Sequence, residues 1–387
     1  MTSYVVIKKH LEKVRRNRIK QKIYRFPSTS AFSIEDTEFK KLFRLCKTCT
    51  KNLYQKIAPE LNPKVKIRTV IPGEIKILCA LRHFATGSLQ KQTAQDLNFN
   101  LSQPSVSRCV VTVSKAICKY FMDTITFPDV SCLKNAFSDI GGFPGVIGIV
   151  GCTHIEITAP PENSNSPPNA YLNQNKRTSL NVLFICDAKM KIIYVNGKFP
   201  GASMDWFVWR HSKLYHILEE KLSKDKDSWL IDSKNCNIYV LSVKKGERKR
   251  KAHTLEEKTY NLSHERTWKT WEKCIYLLKS KFQCLRHKLH YSPETAECII
   301  YACVILHNLC LQEDADIEDT ILSENYSDWI KDKFVPVDSL TNTDAELKRN
   351  HQMKSELRSF PGLSSTIFII DEKFQKEKQT STSYLYH

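Results

Sequence analysis

The hydrophobic period of the chain changes at Gly145, and this change limits the possible folds more than any other feature. Upstream, apolar residues recur at three-and-four spacing, as in Val106, Cys109, Val110 and Val113. Downstream, Val146-Ile147-Gly148-Ile149-Val150 is a continuous apolar run following Pro144 and Gly145. The first pattern belongs to amphipathic helices, the second to a buried strand. The strand pattern continues, or restarts, at Ile155–Thr158. Leu180–Cys186 and Lys191–Val195 read as two further strands joined by a turn at Asp187–Met190. Ser203 is placed to cap a helix from Asp205 to about Leu222. Trp229–Ile231 reads as a fourth strand ending in Asp232-Ser233, and helices over Glu265–Leu285 and Pro293–Leu311 close the region. The fold class is therefore α/β, with helices before the sheet.

The upstream block divides further. A helical pattern over Ser33–Ile57 carries Phe39, Leu42, Phe43, Leu45 and Leu53. A run of helices then covers Pro72–Phe121, interrupted at Gly87. A short helix around Gln92–Leu97, a turn at Asn98–Ser102, and a helix capped by Ser102 with Pro104 in its first turn have the order of a helix-turn-helix. The second helix opens with Gln103, Ser105, Ser107 and Arg108, which in such a motif meet base edges or phosphates. An ordinary helical subdomain is the other reading.

Charge bears on the partner. Lys and Arg exceed Asp and Glu by 18, with a pI near 9.2, which favours a polyanion such as double-stranded DNA. Nine of these basic residues fall between Lys8 and Arg25, against the single acid Glu12. A second cluster, Lys244, Lys245, Arg248, Lys249, Arg250 and Lys251, fills six of eight positions. Each suits phosphate contact or a nuclear address, and each also suits a solvated segment. Fourteen cysteines in 387 residues are too dilute for a disulfide scaffold and point to a reducing, intracellular setting. Cys46-Lys47-Thr48-Cys49 has the spacing of half a zinc site, but no second Cys/His pair matches it. Tyr4–Ile7 is too short for a signal segment and Cys298–Leu306 too short for a membrane span. Beyond Gln312 the composition turns acidic and reads as a tail. The expected organisation is a basic arm and helix over 1–59, a helical domain over 60–144, an α/β domain over 145–311, and a tail over 312–387.

Several consecutive pieces resemble one family. Pro72-Gly73-Glu74, Gly87-Ser88 and Ser105-Val106-Ser107-Arg108-Cys109 are similar to the helical block of PIF/Harbinger transposases and their domesticated nuclease relatives. The likeness continues through Phe143–Gly148, Cys152-Thr153-His154-Ile155, Tyr171-Leu172-Asn173, Ser179-Leu180-Asn181-Val182 and Pro200–Asp205. It ends with Ser228–Ser233, Ser280–Leu285 and Leu306-His307-Asn308. Each piece is weak alone; their order from about Val70 to Leu311 is specific. The resemblance implies a ribonuclease H-like DDE nuclease domain, in which three carboxylates hold two divalent metals, Mg or Mn, that clamp a phosphodiester. It also implies a Myb-like DNA-binding protein as partner and a nuclear location, with the cytoplasm as alternative.

The family's register puts its second carboxylate on Asp232 and its third on Glu272, thirteen residues before Leu285. These two are the expected catalytic and metal-binding residues. The first carboxylate position, before Cys152-Thr153-His154, is Gly151. Strand alternation places Gly151, Thr153 and Ile155 on one face and His154 and Glu156 on the other, so neither of the last two replaces it. Asp187 and Asp205 are the remaining candidates; Asp205 also suits the first turn of a helix. Glu272 borders the apolar stripe Trp268, Trp271, Ile275, Leu278 and Phe282, and could instead face solvent beside Lys269 and Lys273. A missing bridge between two cations impairs catalysis, and a Gly151→Asp substitution is expected to improve it where the surrounding geometry accommodates the side chain. Two functions follow: a transposase-derived, metal-dependent DNA endonuclease with impaired catalysis, or a non-catalytic protein that binds DNA or a partner.

Overall fold

A computed structural model describes residues 31–62, 70–96, 98, 99, 101–134, 136–142, 145–162, 167–224, 228–232, 240, 241 and 255–313. The basic arm, the basic cluster at 244–251 and nearly all of the acidic tail lie outside the described residues.

The first helical pattern is two helices, α1 (Asp36–Phe43) and α2 (Lys47–Leu61), separated at Arg44, whose φ of 65° ends α1 in a left-handed cap. Cys46 explains the restart. Its Sγ accepts a hydrogen bond from Cys49 N at 3.2 Å, so the C-x-x-C spacing here is a helix cap, and all thirteen described cysteines are free thiols. Helix α3 (Gly73–Thr86) ends at Gly87 with φ 60°, a conformation that glycine adopts without steric cost. Then come α4 (Gln90–Ala94), α5 (Gln103–Phe121) and the single turns α6 (Val130–Leu133) and α7 (Ser138–Gly141). Helix α5 has 19 residues. It buries Val106, Val110, Val113 and Ile117.

The β pattern resolves as β1 (Val146–Glu156), β2 (Ser179–Cys186), β3 (Ile192–Pro200), β4 (Trp229–Ile231) and β5 (Val240–Leu241). Between β3 and β4 the expected single helix is two, α8 (Asp205–Arg210) and α9 (Lys213–Lys224). Ser212 causes the break, its Oγ accepting from Tyr215 N at 3.2 Å to start the second helix. Ser203, the expected cap, is buried, and Met204 occupies the cap position of α8. Strand order is β3-β2-β1-β4-β5. β1–β2 and β2–β3 are antiparallel, and β1–β4 and β4–β5 are parallel. The uncertain start at Ile155 is settled by a single 11-residue strand.

Helices cover both faces. On one face, α8 and α9 bury Val208, Trp209 and Leu218 against Ile147, Val150, Leu183 and Leu230. The other face meets α10 (Leu255–Lys281) and α11 (Pro293–Glu313), whose apolar residues join those of α1–α5 in one continuous core. The helical block thus shares its core with the sheet. One described helix, Pro293–Gln312, is long and apolar enough to cross a membrane, but most of it is buried in this core.

The motif Leu306-His307-Asn308 acts here on backbone. Asn308 is fully buried; its Oδ1 accepts from Ile192 N at 2.9 Å, and its Nδ2 donates to Ile192 O at 2.8 Å and Thr124 O at 3.2 Å. An edge residue of β3 is thereby satisfied by a side chain, as a neighbouring strand would do it. His307 Nε2 reaches Met190 O at 3.0 Å, and burial lowers its pKa to about 4. Burial likewise lowers that of His83 to about 4.

Two outcomes are expected. Asn308→Leu strands a buried N–H and C=O and lowers stability by about 3 kcal/mol, read as a lower urea midpoint at unchanged slope. The buried histidines fold neutral and take up protons more readily when unfolded. Their contribution is therefore complete above pH 6.5 and is lost as pH falls toward 4. Urea midpoints fall across that window, and His307→Gln, which cannot titrate, makes the fall shallower.

Candidate functional site

Asp232 follows Ile231, which pairs with Ile149, so it lies level with Val150 and one residue from Gly151 on the neighbouring strand. Its backbone carbonyl accepts a hydrogen bond from His264 Nε2 of α10 at 2.9 Å. Asp232 lines a small cleft together with Gly151, Leu183, Asp205, Trp206 and Trp209. Asp205 is both the first residue of α8 and a wall of this cleft. Asn181, buried in β2, holds it there by donating to Asp205 Oδ1 at 2.9 Å and to Ser203 O at 2.8 Å. The cleft volume is about 20 Å³, close to the space needed by one water.

Gly151 sits at the centre of β1 opposite Phe184. A Cβ at Gly151 would lie 2.8 Å from Cη2 of Trp268 and 2.8 Å from Cε2 and Cζ2 of Trp271. The two indoles stack with centroids 4.9 Å apart and planes 19° apart, and Trp271 Nε1 donates to Phe184 O at 3.3 Å. The space of a first-strand side chain is therefore filled by aromatic rings. The surrounding geometry therefore does not accommodate the side chain of Gly151→Asp, and the obstacle is packing.

Glu272, next to Trp271 on α10, is only 8% exposed, so the solvent-facing reading is wrong. Its neighbours Lys269 and Lys273 are the exposed ones, Lys269 pairing with Glu265 at 2.8 Å. Along α10, Glu272 lies eight residues beyond His264, roughly 12 Å at the rise of a helix, and so well past the point where α10 touches Asp232. One residue escaped the sequence reading. Lys279 is buried on α10 and donates to Thr153 Oγ1 at 2.8 Å and His154 O at 3.2 Å. Its only sequence signal is a lysine beside the apolar stripe, directly after Leu278.

The other candidates have structural duties. Asp187 caps the β2–β3 turn, its Oδ1 accepting from Lys189 N and Lys191 N, both at 2.9 Å. It stands three residues from Phe184, about 10 Å along the strand from Gly151, and does not replace the missing carboxylate. His154 Nδ1 meets Ser179 Oγ at 3.1 Å, and Glu156 pairs with Arg177 at 2.6 Å. On α5, Gln103 and Arg108 are exposed, whereas Ser105 is buried and shares a 2.9 Å hydrogen bond with Ser102 Oγ. Ser105 is thus unavailable to bases, and Ser102 spends its hydroxyl on Ser105 instead of capping backbone. Ser107 is half-buried. Lys244, Lys245, Arg248, Lys249, Arg250 and Lys251 lie outside the described residues.

The residues present do not fit a pair of divalent metals. Among the described residues no three His, Cys, Asp or Glu side chains are grouped to hold an ion, and the bridging position is occupied by indole.

Comparison with known proteins agrees with the fold. Residues 150–308 match the DDE superfamily endonuclease family. The chain is 33% identical over 263 residues to the putative nuclease HARBI1 of Xenopus laevis and 34% identical to that of Bos taurus, spanning 66% of this chain and 72% of each relative. It is 21% identical over 330 residues to the Arabidopsis thaliana protein antagonist of like heterochromatin protein 1, covering 79% of this chain and 81% of that one. No solved structure matches.

The packing at Gly151 is directly measurable. Gly151→Ala drives a methyl into the Trp268–Trp271 pair and costs about 2 kcal/mol. Trimming the ring with Trp271→Leu in the same chain recovers part of that loss, so a double-mutant cycle from urea unfolding gives a coupling of about 1 kcal/mol or more. Additive costs would show that the strand and the indoles do not press on each other.

Proposed function

The chain belongs to the family of Harbinger transposase-derived nucleases, and from that premise we propose that it is a DNA-binding member whose ribonuclease H-like domain does not cut. One observation carries the reading: the indoles of Trp268 and Trp271 fill the space that a first-strand carboxylate needs at Gly151. Two divalent cations close together repel strongly, and a bridging carboxylate is what offsets that repulsion. Asp232 lines the cleft beside Trp206 and Trp209, whereas Glu272 stands on α10 well past the point where that helix meets Asp232, so the two do not hold two metals in register for a phosphodiester. Asp205 adds a carboxylate beside Asp232, yet the cleft they share is about one water in size.

Binding draws on other parts of the chain. A net charge of +18 supports attraction to the phosphates of double-stranded DNA, through the cluster from Lys244 to Lys251 and through exposed Gln103 and Arg108 on α5. The same basic segments support a nuclear address. A Myb-like DNA-binding partner is consistent with the family.

Purified protein incubated with plasmid DNA and Mg²⁺ or Mn²⁺ is expected to leave it intact, at the level of an Asp232→Ala control, and Gly151→Asp gains nothing. Duplex binding is expected at low salt and to fall steeply as salt rises, with a shallower slope after neutralisation of Lys244–Lys251. Metal-dependent cleavage abolished by Asp232→Ala would overturn the non-cutting reading. Absence of binding at low salt would remove DNA as the partner.

A further inference from the structure

Two free thiols meet where the helical block packs on the last helix of the sheet domain. Cys118 of α5 and Cys298 of α11 stand 180 residues apart in the chain, yet their sulfurs are 3.8 Å apart. Cys118 Sγ also donates to Cys298 O at 3.5 Å. The contact is between side chains on facing helices, and closing it to a covalent bond asks for roughly 2 Å of approach.

Access sets this pair apart from its neighbours. Cys284 and Cys303 come equally close at 3.8 Å, but both are buried. Cys79 beside Cys109 is buried as well. Cys118 and Cys298 are each partly exposed, so a dissolved reagent reaches them without unfolding the core. The surroundings also divide the work between them. The Cys118 S–H and the Lys115 ammonium hold the Cys298 thiol below its ordinary range, against burial and the carboxylate of Glu297. Cys118 is pushed the other way, by its bond to Cys298 and by burial. A thiolate is the nucleophile in exchange with a disulfide.

We propose that Cys118 and Cys298 are a reversible redox-modification site, at which a small disulfide of the oxidised glutathione class converts the two thiols into a bond fastening α5 to α11. The Cys298 thiolate attacks one sulfur of the oxidant, and a small thiolate leaves. The Cys118 sulfur then gives up its proton and attacks Cys298 in the mixed disulfide, and the second small thiolate leaves. The protein loses two S–H bonds and gains one S–S bond, while the oxidant does the reverse. Two electrons pass to it, and the two protons end on the released thiols. Excess small thiol runs the same steps backward, as suits a bridge made only in episodes of oxidation. The cross-link closes a long loop, which removes freedom chiefly from the unfolded chain. It does not require DNA binding.

The full chain treated with oxidised glutathione, alkylated and digested without reductant, tests this by peptide mass mapping. A Cys118–Cys298 bridge is expected, together with a higher urea midpoint that falls back on reduction. Exposed Cys132 can take up a glutathione of its own, so the bridge is read by mapping and not by thiol count. Cys118→Ser removes the second attacking sulfur; glutathione is then expected to stay on Cys298, and the rise in midpoint to vanish. The mapping uses the unaltered chain and stands whether or not that variant folds. The proposal is overturned if Cys118 and Cys298 remain open to alkylation, if the mapped bridge joins other cysteines, or if Cys118→Ser shows the same rise.

Discussion

Everything that α10 does depends on a contact that only glycine permits. With hydrogen alone at Gly151, Trp268 and Trp271 lie directly on the central strand, and Trp271 Nε1 reaches Phe184 O. That seating brings His264 to the carbonyl of Asp232 at one end of the helix and Lys279 to Thr153 and His154 at the other. A close-packed interior does not absorb even one extra methylene cheaply. A carboxylate on that strand would require the helix to sit farther out, and its polar contacts at both ends would move with it. The trade is between a tightly clamped helix and a metal bridge, and this chain has the clamp.

The motifs that carry the family likeness mostly hold backbone and turns. Asn308 stands in for a strand at Ile192, and Asn181 ties the entry of α8 to β2. Ser179 collects Asn173 and His154, at 3.2 and 3.1 Å. Gly201 allows the chain to pass so near that a Cβ would collide with Ser179 Oγ. These residues fix where loops leave the sheet, a demand that persists whether or not the cleft cuts DNA. A fold can keep its family's motifs while its site changes, because function rests on the site and not on the scaffold.

The helical block bears on this too. Its apolar residues, from Phe39 to Ile117, run into the same core as α11 and one face of the sheet. Helix α5 therefore gives one side to that core and presents Gln103 and Arg108 outward from its first turns. A surface held this way shares its core with the sheet.

The sequence by itself determined the α/β class, the central strands and the place of Asp232 at a strand end. Period-2 and period-3.6 patterns are local properties, written in consecutive residues, whereas the level of Asp232 against Val150 is a pairing between distant strands. It also placed Glu272 on a helix, but not its burial, since a residue bordering an apolar stripe faces inward or outward according to what the stripe packs against. The breaks at Arg44 and Ser212 were hidden because apolar spacing continues across them, while a cap depends on one hydrogen bond. Only the tertiary structure decided the rest: that the void at Gly151 is filled by indoles from a helix more than 100 residues later in the chain, that Asp205 joins Asp232 in a cleft, and that Cys118 meets Cys298. Those facts are contacts between distant segments, and their physical content is volume and close approach, neither of which a residue carries alone.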